Sequence, residues 1–76
     1  MSKITPIHYS KLVKVFKSEG FKFKRIRGDH LIYAKAGISR PIVIPKYEEI
    51  PVFVIKNNLR AAGINREKYL EILERI

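Results

Sequence analysis

His30 is the residue whose surroundings suggest chemistry. It follows Lys24, Arg25 and Arg27 within six positions and comes directly after Gly28-Asp29. An imidazole is the side chain that exchanges a proton near neutral pH. Guanidinium and ammonium groups beside it suit a reaction that builds negative charge. A phosphodiester of RNA fits both requirements, because its 2′-hydroxyl is a built-in nucleophile. Cleavage then needs a base for that hydroxyl's proton, an acid for the leaving oxygen, and positive charge near the phosphorus. One positioned imidazole contributes about 10²–10⁴-fold through proton transfer, and fixed cations stabilise the developing charge. DNA lacks the 2′-hydroxyl, so this chemistry implies RNA as the substrate.

Other chemistries find less support. The chain has two histidines, His8 and His30, and no cysteine, and neither histidine has a partner at metal-ligand spacing. No metal site and no cofactor is expected. No Gly-x-Ser-x-Gly elbow is present, and Gly28 lacks the companion glycines of a phosphate loop. His8 reads as a solvated residue near a helix start. Tyr33 and Tyr47 are candidates for base stacking or proton transfer, and equally for packing.

The charge supports a polyanionic partner. Of the net +9, residues 1–40 carry +8, ten Lys/Arg against Glu19 and Asp29; residues 41–76 carry +1, six against five acids. Lys22, Lys24, Arg25, Arg27, Lys35 and Arg40 are the phosphate-binding candidates, because strands and turns display them around His30. Lys11, Lys14 and Lys17 read as a solvated helix face. At 76 residues with 46% hydrophobic content, one domain spanning 1–76 is expected. The absence of cysteine, of a signal-peptide pattern and of a long apolar run leads to an expectation of a cytoplasmic chain with no membrane partner.

The elements that must hold His30 can be read from periodicity. Tyr9, Leu12, Val13 and Phe16 share a helical face, with Thr5 or Ser10 as the cap and Gly20 as the stop. Phe21 and Phe23 alternate with Lys22 and Lys24, which predicts a half-buried strand with a bulge or twist at Arg25-Ile26. Gly28-Asp29 predicts a two-residue hairpin. Leu31–Lys35 forms the return strand, and Ile42–Ile44, closed by Pro45, forms a third. Pro51 opens a helix carrying Val52, Ile55, Leu59 and Ala62, stopped at Gly63. Asn65 caps the last helix, with Ile64 and Tyr69 as its hydrophobic staple and Tyr69, Ile72, Leu73 and Ile76 as its apolar stripe. The order implies an α+β domain with helices on one face of an antiparallel sheet.

These residues also carry a family resemblance. Gly20-Phe21, Arg27-Gly28-Asp29-His30, Ile44-Pro45, Leu59-Arg60-Ala61-Ala62-Gly63-Ile64 and Tyr69-Leu70-Glu71-Ile72-Leu73 together resemble the HicA-like (YcfA-like) mRNA interferase toxins of toxin–antitoxin systems. The resemblance implies a fold like the double-stranded-RNA-binding domain and metal-independent endoribonuclease activity on mRNA, with His30 catalytic. It also implies a HicB-like antitoxin protein as partner. Three positions depart from the family pattern. Asp29 replaces a serine, Lys46-Tyr47 occupies the region of a second histidine, and Phe53-Val54 replaces a Gly-Thr. Two other readings stay open: a weakly active or inactive RNA-binding module of this fold, and a chain whose basic face docks an acidic protein. KH and RRM modules fit poorly, lacking a Gly-x-x-Gly loop and an aromatic strand signature respectively.

Overall fold

The computed structural model describes residues 3–76, so residues 1 and 2 of the expected domain lie outside it. The elements run α1 (Tyr9–Ser18), β1 (Lys22–Arg27), β2 (His30–Ala34), β3 (Ile42–Pro45), α2 (Val52–Ala62) and α3 (Arg66–Arg75). The strands form one antiparallel sheet in the order β1-β2-β3. The α+β architecture expected from the sequence is the observed one.

The core lies against one face of this sheet. Side chains alternate along a strand, and Tyr33 of β2 with Ile42 and Ile44 of β3 turn toward the helices. They meet Leu12, Val15 and Phe16 of α1, Ile55 and Leu59 of α2, and Tyr69 and Ile72 of α3. The α1 face therefore centres on Leu12, Val15 and Phe16, with Val13 half-buried. On α3, Tyr69 and Ile72 are buried, whereas Ile76 of the expected stripe is exposed.

Helix ends follow backbone chemistry. Asn65 accepts the Lys68 N–H at 2.8 Å, satisfying one of the donors that every helix start leaves open. Gly63 closes α2 with φ 72°, a left-handed conformation that a Cβ would strain. The start of α1 differs from expectation. Neither Thr5 nor Ser10 is the cap; His8 is, its Nδ1 accepting the Ser10 N–H at 3.1 Å. His8 also stacks on the Tyr9 ring, with centroids 4.6 Å apart.

The β1 strand departs further. All six residues are exposed, including Phe23, so the expected half-buried strand is not found. Phe21, just before the strand, is the residue that enters the core. The cause is layer geometry: β1 is an edge strand whose packing partner is β2 and beyond which the helical layer does not reach. Phe23 covers Tyr33 edge-on at 5.7 Å and otherwise faces outward.

Tyr69 is fully buried and its hydroxyl has no hydrogen-bond partner among the described residues. Burial pushes the phenol up to about 12. Tyrosines of an unfolded chain ionise near pH 10, so the folded state binds this proton more tightly. The resulting stability is present below about pH 10 and is lost, by about 2–3 kcal/mol, as pH rises toward 12. Tyr69→Phe should leave Tm at neutral pH unchanged or slightly higher, since an unpaired buried hydroxyl is removed. It should also make the fall of Tm between pH 10 and 12 shallower. Thermal melts across that range check this, and parallel curves for the two proteins would contradict it.

Candidate active site

The β1–β2 turn is built for two residues. Gly28 takes φ 59°, while Asp29 stays out of the positive-φ region, the pattern of a turn that matches strand twist with glycine first. Arg27 and His30 then face each other across the turn. The tip is held from β3: the Lys46 N–H donates to the Asp29 carbonyl at 2.8 Å, and His30 pairs with Pro45. The same segment reaches α1, because the Tyr9 N–H donates to the Tyr47 carbonyl at 3.1 Å. Residues 45–47 thus connect the hairpin tip to the start of the first helix. Tyr47 and Lys46 contribute these backbone contacts, and the Lys46 ammonium lies 6.0 Å from the centre of the Tyr9 ring.

Asp29 Oδ1 lies 2.8 Å from His30 Nδ1. A carboxylate at that distance accepts the Nδ1–H, which leaves the Nε2 lone pair as the basic position. Nε2 has no hydrogen-bond partner among the described residues. His30 and Asp29 side chains are 44% and 65% exposed, so a substrate can reach both. The residue standing where the family pattern has serine is therefore in contact with the histidine and can fix its tautomer. The sequence signal for this role is a carboxylate adjacent to a histidine at a strand start.

Pairing decides which cations share the face of His30. Residues opposite one another in antiparallel strands point to the same side. Arg27 is opposite His30, and Arg25 is opposite Ile32, two residues along on the same face. This alignment depends on an irregularity in β1. Phe23 pairs with Tyr33 and Arg25 with the adjacent Ile32, so Lys24 is an extra residue. The expected bulge exists, one to two residues earlier than Arg25-Ile26. Without it, Arg25 and Arg27 would continue the parity of Phe23 and turn to the helix side.

The candidate cations therefore divide. Arg27 and Arg25 line the face around His30, and among the described residues neither has an acidic partner. Lys24 occupies the bulge. Lys22 shares the face but pairs with Ala34, at the far end of β2. Lys35 lies past that same end, with its Nζ 5.7 Å from the Phe21 ring centre. Arg40 lies at the opposite edge of the sheet, beyond β3, in a groove against α2. Ile32 forms an apolar floor on the His30 face, 6% exposed and separate from the main core, between Arg25 and Val43 of the flanking strands. Tyr33 is buried on the opposite face, and burial raises its phenol. It packs there rather than facing a substrate. Tyr47 is exposed. No three His, Cys, Asp or Glu side chains gather among the described residues.

A helix, a three-stranded antiparallel sheet and two covering helices, with an open sheet face carrying a carboxylate-held histidine and arginines without acidic partners among the described residues, define a small α+β protein with a cationic open face. The model of the HicA toxin of bacterial toxin–antitoxin systems matches residues 9–64, from the start of α1 to just past α2. The chain belongs to the HicA toxin family, whose members are toxins paired with an antitoxin. No curated protein matches it. No helix among the described residues is long and apolar enough to cross a membrane.

The imidazole geometry has a direct spectroscopic consequence. In long-range ¹H–¹⁵N NMR the neutral His30 ring should be predominantly the Nδ1–H tautomer. Asp29→Ala should shift it toward the Nε2–H form, since the partner that selects Nδ1–H is gone. An unchanged tautomer ratio would mean that the carboxylate does not orient the ring.

Proposed function

We propose that the chain is an endoribonuclease toxin that cleaves mRNA by metal-independent transesterification, with His30 as general base, and that it acts in the cytoplasm under the control of a HicB-like antitoxin. The observation that carries this reading is the 2.8 Å contact between Asp29 Oδ1 and His30 Nδ1 on a face bordered by the unpaired Arg25 and Arg27.

His30 Nε2 takes the proton of a 2′-hydroxyl as the 2′-oxygen attacks the adjacent phosphorus. The imidazolium so formed donates its Nδ1–H to Asp29, which stabilises the positive ring. The new P–O2′ bond forms as the P–O5′ bond breaks. The departing 5′-oxygen takes a proton from solvent or from the imidazolium. The products are a 2′,3′-cyclic phosphate and a 5′-hydroxyl. Arg27, opposite His30, is the closest cation by register to the phosphoryl oxygens, and Arg25 extends the positive charge along the face. Lys22 and Lys24 add longer-range attraction for the backbone.

Asp29 is well exposed, so its effect on the ring is screened. It should be a positioning residue worth less than the roughly 10⁴-fold of a fully buried triad carboxylate.

Purified wild type should cleave single-stranded RNA in the presence of chelator and leave matched DNA intact. His30→Ala should lower kcat by about 10²–10⁴-fold with an unchanged fold by circular dichroism. Asp29→Ala should lower kcat by about 10-fold with little change in KM, and Asp29→Asn should fall between the two. An equally active His30→Ala protein would overturn the assignment. Tight RNA binding with no cleavage by wild type would favour the non-catalytic RNA-binding module instead.

A further inference from the structure

The outer edge of β3 faces α2 across an open groove of about 570 Å³. Arg40 and Arg60 line it, together with the exposed amide of Asn57, and no acidic residue contributes to its wall. Among the described residues neither arginine has an acidic partner. The two lie twenty residues apart in sequence and are brought together by the packing of α2 on β3.

The edge itself is closed to a further strand. Residues of β3 that bond to β2 alternate with residues that face outward. The carbonyl of Val43 faces outward and accepts the Asn58 side-chain N–H at 2.9 Å. Asn58 is buried, so α2 is pinned to the strand at that point. Pro45, two residues on, shares Val43's outward orientation, Pro41 stands just before the strand, and neither has an N–H to offer. A partner strand would find one free donor along this edge. The groove therefore suits a ligand that brings its own acceptors to arginine and amide donors.

Through Val43 the groove adjoins the face that carries His30. Val43 lines it and pairs with Ile32, which in turn pairs with Arg25. One rung thus runs Arg25, Ile32, Val43 and into the groove, beside the rung Arg27, His30, Pro45. The sheet is two inter-strand gaps wide, about 10 Å. Cations stand at both ends of that span, with an apolar floor between them.

We propose that the groove is a second phosphate site, in which Arg40 and Arg60 hold a backbone phosphate of the RNA strand whose scissile bond lies at His30. This rests on the reading that the open face receives RNA. The strand then runs across the sheet, from the β1 arginines over Ile32 to α2. Arg60 forks onto phosphate oxygens, a geometry arginine offers and lysine does not. Asn57 donates from its amide. The site reads no base, so it contributes affinity and register without sequence preference.

The test uses the full chain in a His30→Ala background, with a fluorescein-labelled single-stranded RNA 12-mer followed by anisotropy at several KCl concentrations. Arg40→Ala/Arg60→Ala should weaken binding about tenfold or more and lower the slope of log K against log salt by about 0.7 for the lost phosphate. Lys14→Ala/Lys17→Ala removes the same charge from the outer face of α1 and should weaken binding much less. In protein retaining His30, the groove variant should raise KM for the 12-mer with kcat kept, and should not affect a dinucleotide too short to reach the groove. Equal losses in the two double variants would overturn the proposal, as would unchanged RNA affinity with lost binding of poly-glutamate, which would assign the groove to an acidic polypeptide. If the groove variant misfolds by its thermal melt, Arg40→Lys/Arg60→Lys replaces it, with weakened binding at equal charge expected and wild-type affinity overturning. The two readings fail separately: an active His30→Ala protein removes the catalytic assignment and leaves the groove result standing, and the reverse holds for an indifferent groove variant.

Discussion

A strand alternates sides with every residue, so a single extra residue reverses everything beyond it. In β1 that residue is Lys24. Phe23 stays beside Tyr33 on the helix side of the sheet, and Arg25 and Arg27 emerge on the other side with His30. The rest of the open face depends on this. With regular pairing, the guanidinium groups would be directed toward the helical layer while His30 remained on the outer face. The cost is local: one residue of β1 gives up its place in the ladder, at an edge where the backbone is already exposed.

The role proposed for His30 requires more than position, because the turn must also hold it in place. One backbone conformation and two contacts do so. Gly28 allows the tight reversal, the Lys46 N–H fixes the Asp29 carbonyl, and the Asp29 carboxylate fixes the ring. The Pro45–Tyr47 segment then carries that restraint to α1 through Tyr9. His30 belongs to β2, the central strand, which is paired on both sides. The arginines belong to β1, which pairs on one side only. A base on the doubly paired strand beside cations on the singly paired one suits the flexible polyanion proposed as substrate.

The fold was legible in the sequence wherever backbone chemistry left few choices. Gly28 and Gly63 stand where the backbone turns left-handed, Asn65 offers a side-chain cap and the β-branched Ile42–Ile44 run favours a strand, and each is where it was expected. What escaped was set by neighbours distant in sequence. The alternation of Phe21 to Lys24 looks half-buried, yet the helices stop short of β1 and leave Phe23 uncovered. The bulge is hard to place because Lys24 and Arg25 are both basic and either could be the surplus residue. His8 caps α1 although imidazole is a rare cap, since Ser10 returns its backbone N–H to it. Basic residues grouped by sequence also separated in space. Arg25 and Arg27 share the face of His30, Lys35 stays at the opposite end of β2, and Arg40 lines one groove with Arg60, which no local pattern connects to it. Asp29 registered in the sequence as a departure from a family pattern, and only the structure shows its contact with the His30 ring.

In the proposed reaction a carboxylate-held imidazole on this face drives attack by RNA's own 2′-hydroxyl. The chemistry of the new ends tests it most directly. Mass spectrometry of the fragments released from a defined oligonucleotide by wild type should find 2′,3′-cyclic phosphate and 5′-hydroxyl termini, and a single 2′-deoxy substitution at the cut position should abolish that cut. Fragments bearing 5′-phosphate and 3′-hydroxyl ends, or undiminished cleavage at the 2′-deoxy position, would contradict it.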